Sequence, residues 1–376
     1  MQRQSVVSIV EVEKRDVELA VEEAVALVGG IGKIVKSSDK VLIKPNYSMP
    51  RHPRTAVTTE PEVVAAVVDI VREAGGDPII GEGSVVGHDT TVAFRVVGAE
   101  EISKRNDVPL IDLNKDEGVE VEIPGGKALK KIRIAKTVLE CDIIINVPKI
   151  KTHHSTLVTC SLKNMKGVLP AREKHVTHLS GLHQAIVDLN KIVKPDLTVV
   201  DGVLSMEGNG PSFGKPVATN LIIAGFDPVA VDSTVCRIMG IDPSEVVHVR
   251  LAAEQGLGVI EPCAIEIRGV KVEAVGKCFM KPSIPMASLE CIGYRFEDLL
   301  RKTFHRDVSF QRWFTKTFSS GPRFYPDACS GCEKCLEMCP TNALTFRNGF
   351  PIIDYGECIK CYCCIEGCPN NAFRLN

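Results

Sequence analysis

Cys329-Ser330-Gly331-Cys332-Glu333-Lys334-Cys335-Leu336-Glu337-Met338-Cys339-Pro340 sets a pattern that returns as Cys358-Ile359-Lys360-Cys361-Tyr362-Cys363-Cys364-Ile365-Glu366-Gly367-Cys368-Pro369. Both runs read C-x2-C-x2-C-x3-C-P, a spacing that holds cubane iron-sulfur clusters, with the fourth cysteine of each run ligating the other run's cluster. Three cysteines two residues apart lie on one tight loop and reach three irons of a cubane. The fourth, followed by proline, sits where the chain leaves and reaches the partner cube. This crossover assigns Cys329, Cys332, Cys335 and Cys368 to one 4Fe-4S cluster, and Cys358, Cys361, Cys364 and Cys339 to a second.

Between the runs, residues 343–346 and 351–354 read as short strands about an Asn348-Gly349 turn, a strong hairpin signal. The segment resembles a dicluster bacterial-type ferredoxin along its whole length. Cys363 departs from that pattern: it can compete as a ligand, but a spare buried thiol is the favoured reading. Zinc sites space their cysteines as separated C-x2-C units, and a disulfide framework belongs to small secreted chains, so neither competes well with clusters.

At 376 residues the chain is too long for a ferredoxin alone, and its length predicts two or three units. The other cysteines (Cys141, Cys160, Cys236, Cys263, Cys278, Cys291) show no metal spacing, and free thiols together with clusters point to a reducing cytoplasm. The first residues lack the basic start and apolar core of a signal peptide. No apolar run approaches the ~18 residues of a transmembrane segment. A formal net charge of −2 leaves no general nucleic-acid footprint, so any basic site is local.

Residues 5–12 alternate as a strand, and 17–28 recur at helical spacing up to Gly29-Gly30. A buried strand at 40–43 ends in Lys44-Pro45-Asn46. A helix over 61–74 starts with proline, and 77–80 is a strand running into Gly81-Glu82-Gly83, which lacks the third glycine of a dinucleotide fingerprint. Residues 108–134 read as short strands around Pro124-Gly125-Gly126, 142–147 as the clearest buried strand, 179–192 as a helix, and 195–200 and 220–224 as strands. Asp227 reads as the cap of a helix opened by Pro228. The alternation predicts an α/β fold with a parallel or mixed sheet and flanking helices, joined to a small α+β dicluster ferredoxin-like domain; ligands of such sheets lie outside the carboxyl ends of the strands.

The run after the 142–147 strand is the second informative stretch. It holds Lys149, Lys151, His153 and His154, then Lys163, Asn164 and Lys166, then His175 and His178. Lysines and an amide at a strand's carboxyl edge suit a carboxylate or phosphate. If 153 and 154 lie in a strand, only one of the two histidines points inward. Lys44, Asn46, Lys149, Lys151 and Asn164 are the expected ligand-binding residues. His153 as proton donor, with Lys163, Lys166, Asp201 and Glu207, are the expected catalytic ones.

Lys44-Pro45-Asn46, Val147-Pro148-Lys149-x-Lys151-Thr152-His153, Ser161-Leu162-Lys163-Asn164-x-Lys166-Gly167, Asp201-Gly202 with Glu207-Gly208-x-Gly210-Pro211, and Asp227-Pro228-Val229-Ala230-x-Asp232 resemble the uncharacterised iron-sulfur centre proteins of the domain of unknown function 362 family. The resemblance spans about residues 38 to 260. It implies a shared α/β site coupled to redox chemistry and names no substrate.

Three units are expected: an α/β domain over 1–276, a linker and basic aromatic connector helix over 277–326, and a 2x 4Fe-4S ferredoxin-like domain over 327–376. The connector's aromatics pack between the domains in the favoured reading, against a membrane-surface helix or partner face. Two functions follow. One is an oxidoreductase passing low-potential electrons from two 4Fe-4S clusters to a small anionic substrate; the other is a non-catalytic redox partner that docks another protein or its cofactor.

Overall fold

A computed structural model describes residues 4–12, 16–283, 292–294 and 320–375. The aromatic connector expected at 295–319 and Cys291 lie outside the described residues. Twelve strands build the larger unit: β1 (Ser5–Glu11), β2 (Lys40–Pro45), β3 (Asp77–Glu82), β4 (Leu110–Asp112), β5 (Gly118–Glu122), β6 (Lys131–Ala135), β7 (Ile143–Val147), β8 (Lys149–His153), β9 (Leu157–Thr159), β10 (Leu197–Glu207), β11 (Lys215–Gly225) and β12 (Ile265–Gly269). All but the β5–β6 hairpin join one ten-stranded sheet, ordered β12-β1-β11-β10-β7-β2-β3-β4, with β8 paired to β10 and β9 to β8. The sheet is mixed: β10, β7, β2, β3 and β4 run parallel, whereas β11 is antiparallel to both β1 and β10.

Strands covered on both faces need unbroken apolar runs, and Val41-Leu42-Ile43 and Ile143-Ile144-Ile145 supply them at the centre. Val41, Ile43, Leu197, Val199, Ile222 and Ala224 face the helices Val17–Leu27 and Pro61–Glu73. On the opposite face Val7, Ile9, Val200 and Ile223 meet the helices Leu182–Leu189, Pro228–Ile238 and Val247–Glu254. Pro61 and Pro228 open their helices, and Asp227 Oδ1 caps the second by accepting from Val229 N at 2.9 Å and Ala230 N at 3.1 Å.

Two expectations need correcting. The helix expected over 179–192 is Leu182–Leu189, because Gly181 at φ 100° separates it from Glu173–Leu179. The strand expected to stop at 200 runs on to Glu207, since β11 keeps pairing with it beyond an irregularity between Gly202 and Leu204. Asp201 is therefore mid-strand, and Glu207 belongs to the strand rather than to a glycine loop.

The C-terminal unit pairs Arg323–Phe324 with Phe373–Arg374 and Leu344–Arg347 with Phe350–Ile353. The latter hairpin turns at Asn348 and Gly349, with φ 49° and 84°, as its Asn-Gly sequence dictates. The two cysteine runs also share backbone conformation. Gly331 and Lys360, Glu333 and Tyr362, and Asn342 and Asn371 hold equivalent places and all have positive φ. Among the described residues no helix is long and apolar enough to cross a membrane.

Ile43 is wholly enclosed on the central strand, whereas Leu19, on the helix Val17–Leu27, is 56% exposed. Ile43→Ala should cost about 2–5 kcal/mol and lower the unfolding midpoint in denaturant, while Leu19→Ala should leave it almost unchanged. Equal effects would contradict this placement of the core.

Candidate functional site

Strand ends bring the site together. β2 delivers Lys44 and Asn46, β3 delivers Glu82, and β8 leaves the line of β7 after Pro148 to pair with β10. In β8 alternate residues share a face, so Lys149, Lys151 and His153 point one way while Ile150 enters the core. Lys163 and Asn164 stand on the helix Ser161–Asn164, whose first amides Ser161 N and Leu162 N are capped by the buried Asp232 carboxylate at 2.6 and 3.1 Å.

Two lysines are neutralised inside the domain. Lys44 Nζ lies 2.9 Å from Glu82 Oε2, and Lys149 Nζ 2.8 Å from Asp201 Oδ2, with all four side chains buried. Burial pulls the Lys44 pKa below its ordinary value, against the Glu82 charge that supports it. An amide chain organises the next layer. Lys151 Nζ donates to Asn46 Oδ1 (3.0 Å) and Val57 O (2.7 Å), Asn46 Nδ2 to Asn164 Oδ1 (2.8 Å), Asn164 Nδ2 to Asn146 Oδ1 (2.7 Å), and Asn146 Nδ2 to Ser161 O (3.0 Å). Every amide oxygen in the chain accepts from a neighbour's N–H, which fixes the orientation of all three amides.

These groups border a cavity of about 860 Å³, partly open to solvent, and its far wall belongs to the C-terminal unit. Lys151, Lys163, Lys166, Lys174, Asn46, Asn164, Glu82, His175 and His178 line one side; Met338, Cys363, Glu366 and Gly367 line the other. The units are tied together around the cavity by Arg51 Nη2 to Pro369 O (2.9 Å), His88 Nε2 to Gly367 O (2.8 Å), and the edge contact of Tyr362 on the His154 ring.

Burial pulls the Lys151 pKa to about 7, helped by Lys163 and Lys149. It pulls Lys163 to about 8, where Glu366 opposes and Lys166 assists. It pulls Lys174 to about 7 against the Glu82 charge, and it also lowers Lys166, whose Nζ lies 2.9 Å from His178 Nε2. For Glu366, burial alone would raise the pKa, but His153 and His154 hold it well below the usual carboxylate range.

Glu366 Oε1 lies 3.2 Å from both His153 Nε2 and His154 Nε2, without the alignment of a directed hydrogen bond. The expectation that only one of these histidines points inward is corrected: β8 ends at His153, the chain turns, and the two rings stack at 4.9 Å so that both face the carboxylate. The three atoms lie within 4.8 Å of one another, close enough for a metal ion. His153 Nδ1, however, accepts the amides of Ser155 (3.0 Å) and Thr156 (3.3 Å), which puts the ring proton on Nε2, the wrong tautomer for a metal ligand there. A carboxylate held electrostatically against the two ring N–H edges fits the trio better.

The cysteines gather as the crossover requires. One cavity of about 330 Å³ is lined by Cys339, Cys358, Cys361 and Cys364, and another of about 320 Å³ by Cys329, Cys332, Cys335 and Cys368. Ala343 N and Ala372 N donate to Cys339 Sγ (3.2 Å) and Cys368 Sγ (3.3 Å) from matching places in the two runs. Two groups of four thiols at this spacing fit cubane clusters.

The model of the domain of unknown function DUF362 matches residues 41–237. The chain belongs to the DUF362 family. A 4Fe-4S binding domain matches residues 322–345, so the DUF362 unit is joined to an iron-sulfur, ferredoxin-type module. A thylakoid-associated protein of Synechocystis sp. (sll1697) is 33% identical over 251 residues, 64% of this chain and 74% of that one. The lactate racemase apoprotein from Thermoanaerobacterium thermosaccharolyticum superposes at a TM-score of 0.40 and 15% identity, covering 64% of this chain and 58% of that one.

Of the residues expected from sequence, Asn46, Lys151, Lys163, Asn164 and Lys166 reach the DUF362 cavity, while Lys44, Lys149, Asp201 and His153 stand behind it. Glu207 is not brought in: its Oε2 accepts Met280 N at 2.9 Å. Glu82, Lys174 and Glu366 were missed. Glu82 was signalled by its place at the carboxyl end of a strand adjacent to the one bearing Lys44; Glu366 gave no signal, because its histidines are some 210 residues away in the chain.

A lysine whose folded-state pKa lies below its unfolded value binds fewer protons folded than unfolded between the two, so stability rises with pH across that window. For Lys151, Lys163 and Lys174 the window runs from about 7–8 up to the ordinary 10.5. Ligand-free protein should therefore gain thermal stability from pH 7 toward 9.5, and Lys163→Met should flatten that slope and be more stable than wild type at pH 7. A steeper slope in the variant would contradict the assignment. Glu82→Gln, which leaves Lys44 buried without its counter-charge, should cost about 3–5 kcal/mol in denaturant unfolding.

Proposed function

We propose that the chain is an iron-sulfur oxidoreductase in which two 4Fe-4S clusters deliver low-potential electrons to a small anionic substrate in the shared cavity. The observation that carries this reading is the cavity's composition: lysines of the DUF362 unit form one wall, and the module's Cys363, two residues after Cys361 of the second cysteine run, forms the other. Little but electron transfer explains a ferredoxin-type module built into a ligand wall. When bound, the clusters supply one-electron reducing equivalents. The chain's own residues bind and protonate. Lys166 and Lys151 are placed to hold carboxylate or phosphate oxygens, Lys166 aimed by His178 and Lys151 held at the cavity floor by Asn46, with Lys163 beside them at the wall. Apolar Met49, Val85, Val86 and Met338 give the cavity room for an organic body. Glu366 stands between His153 and the cavity, and His153, which burial keeps neutral, orients that carboxylate while the Lys166 ammonium is the nearest proton source for the ligand. A protein redox partner reloads the module, and the unpaired thiols of Cys141, Cys160, Cys236, Cys263 and Cys278 support a reducing compartment such as the cytoplasm.

Anaerobically purified protein should contain about eight irons per chain. Cys361→Ser should lower that number and Cys363→Ser should keep it; a single cluster after full reconstitution would overturn the count. Reduced protein should be reoxidised by the small-molecule fraction of a cell extract, and the double change Lys163→Ala with Lys166→Ala should abolish this while sparing the visible cluster spectrum. Reoxidation of the double variant at the wild-type rate would remove the lysines from the reaction.

A further inference from the structure

The lysines around the cavity are not equivalent. Lys44 has Glu82, Lys149 has Asp201, and Lys151 has Asn46 and Val57 O. Lys166 has His178, and Lys174 has Asn114 and Leu169 O. Lys163 alone of this set has no hydrogen bond or ion pair among the described residues, and its helix is pinned from behind by Asp232, so the amine is held at the cavity wall with nothing to engage. We infer that Lys163 is an amine nucleophile that forms an imine with a carbonyl-bearing anion, the carbonyl carbon meeting Lys163 Nζ while the anionic group rests on Lys166 and Lys151. This rests on the reading of the cavity as an anion site and narrows its ligand to an aldehyde or ketone that also carries carboxylate or phosphate.

The step balances without an added reagent. Neutral Nζ adds to the carbonyl carbon, the carbonyl oxygen leaves as water with both amine protons, and a C=N bond remains. The neutral amine is the reacting form, and desolvation beside other cations is how proteins make it available. Burial is the main influence on Lys163, and the charged or titratable groups around it are Lys151 and His153 on β8, Lys166 after its own helix, His178, His248, and Cys363 and Glu366 of the module. With a pKa of about 8 its neutral fraction near neutral pH is on the order of a hundredfold above that of a free lysine. Lys131, 62% exposed on β6, provides the comparison within the same chain.

Pyridoxal 5′-phosphate, an aldehyde carrying phosphate, is the probe. Holoprotein is treated anaerobically with it, imines are frozen by borohydride, and modified peptides are located by mass spectrometry. Lys163 should be labelled at least about tenfold faster than Lys131, with a rate that rises through a pH of about 8. Lys163→Arg should lose this adduct and keep its cluster absorption. Labelling of Lys163 no faster than Lys131, or of Lys166 in its place, overturns the inference. Excess inorganic phosphate should slow the labelling; fast labelling of Lys163 that phosphate does not slow sustains the amine's role and removes the anion site instead.

Discussion

Buried positive charge is the constraint on which this structure depends. Lys44, Lys149, Lys151 and Lys174 are buried at the carboxyl edge of one sheet and Lys163 and Lys166 are half-buried beside them, so that removal from water penalises each ammonium. The α/β unit meets part of that cost itself, with Glu82 and Asp201 as direct partners and a chain of asparagine amides under Lys151. Around Lys163 and Lys166 the supporting carboxylate is Glu366, which comes from the C-terminal unit. The charge left over is the basis of the proposed preference for an anion.

This gives the iron-sulfur module a structural part in the site. Glu366 lies between Cys364 and Cys368 in the second cysteine run, and it faces His153 and His154 of the DUF362 unit. Any movement of the loop carrying those cysteines is therefore felt by the carboxylate that faces the lysines. Gly87 runs so close to Met338 of the module that an added Cβ would lie 2.7 Å from its side chain, so the two units meet tightly there. Cys363, extra to the ferredoxin spacing, is neither among the four thiols around one cysteine-lined cavity nor among the four around the other; it lines the larger cavity opposite the lysines.

Local patterns made most of the fold legible in the sequence. The apolar runs of β2 and β7, the prolines opening two helices, and the Asn348-Gly349 turn act over a few residues, and each formed as its sequence predicts. Lys44, Lys151, Lys163 and Asn164 could be placed because a parallel sheet puts strand ends at its ligand crevice. Glu207 misled for the same reason: it was read as lying after a strand that in fact continues through it, held by pairing with β11 that no local pattern reports. Glu366 and the shared face of His153 and His154 depend on how the two units dock, information that is distributed over Arg51, His88, Tyr362 and their distant partners.

The central claim is that an anion bound by the lysines sits against the cluster-bearing wall. Phosphorus-31 electron-nuclear double resonance on the reduced protein in phosphate buffer tests it most directly, because a coupling is seen only when the phosphorus nucleus lies near the unpaired electron of a reduced cluster. A phosphorus coupling that disappears in Lys166→Ala, with the cluster's own resonance unchanged, is the predicted result. A reduced cluster showing no phosphorus coupling at saturating phosphate would contradict the account.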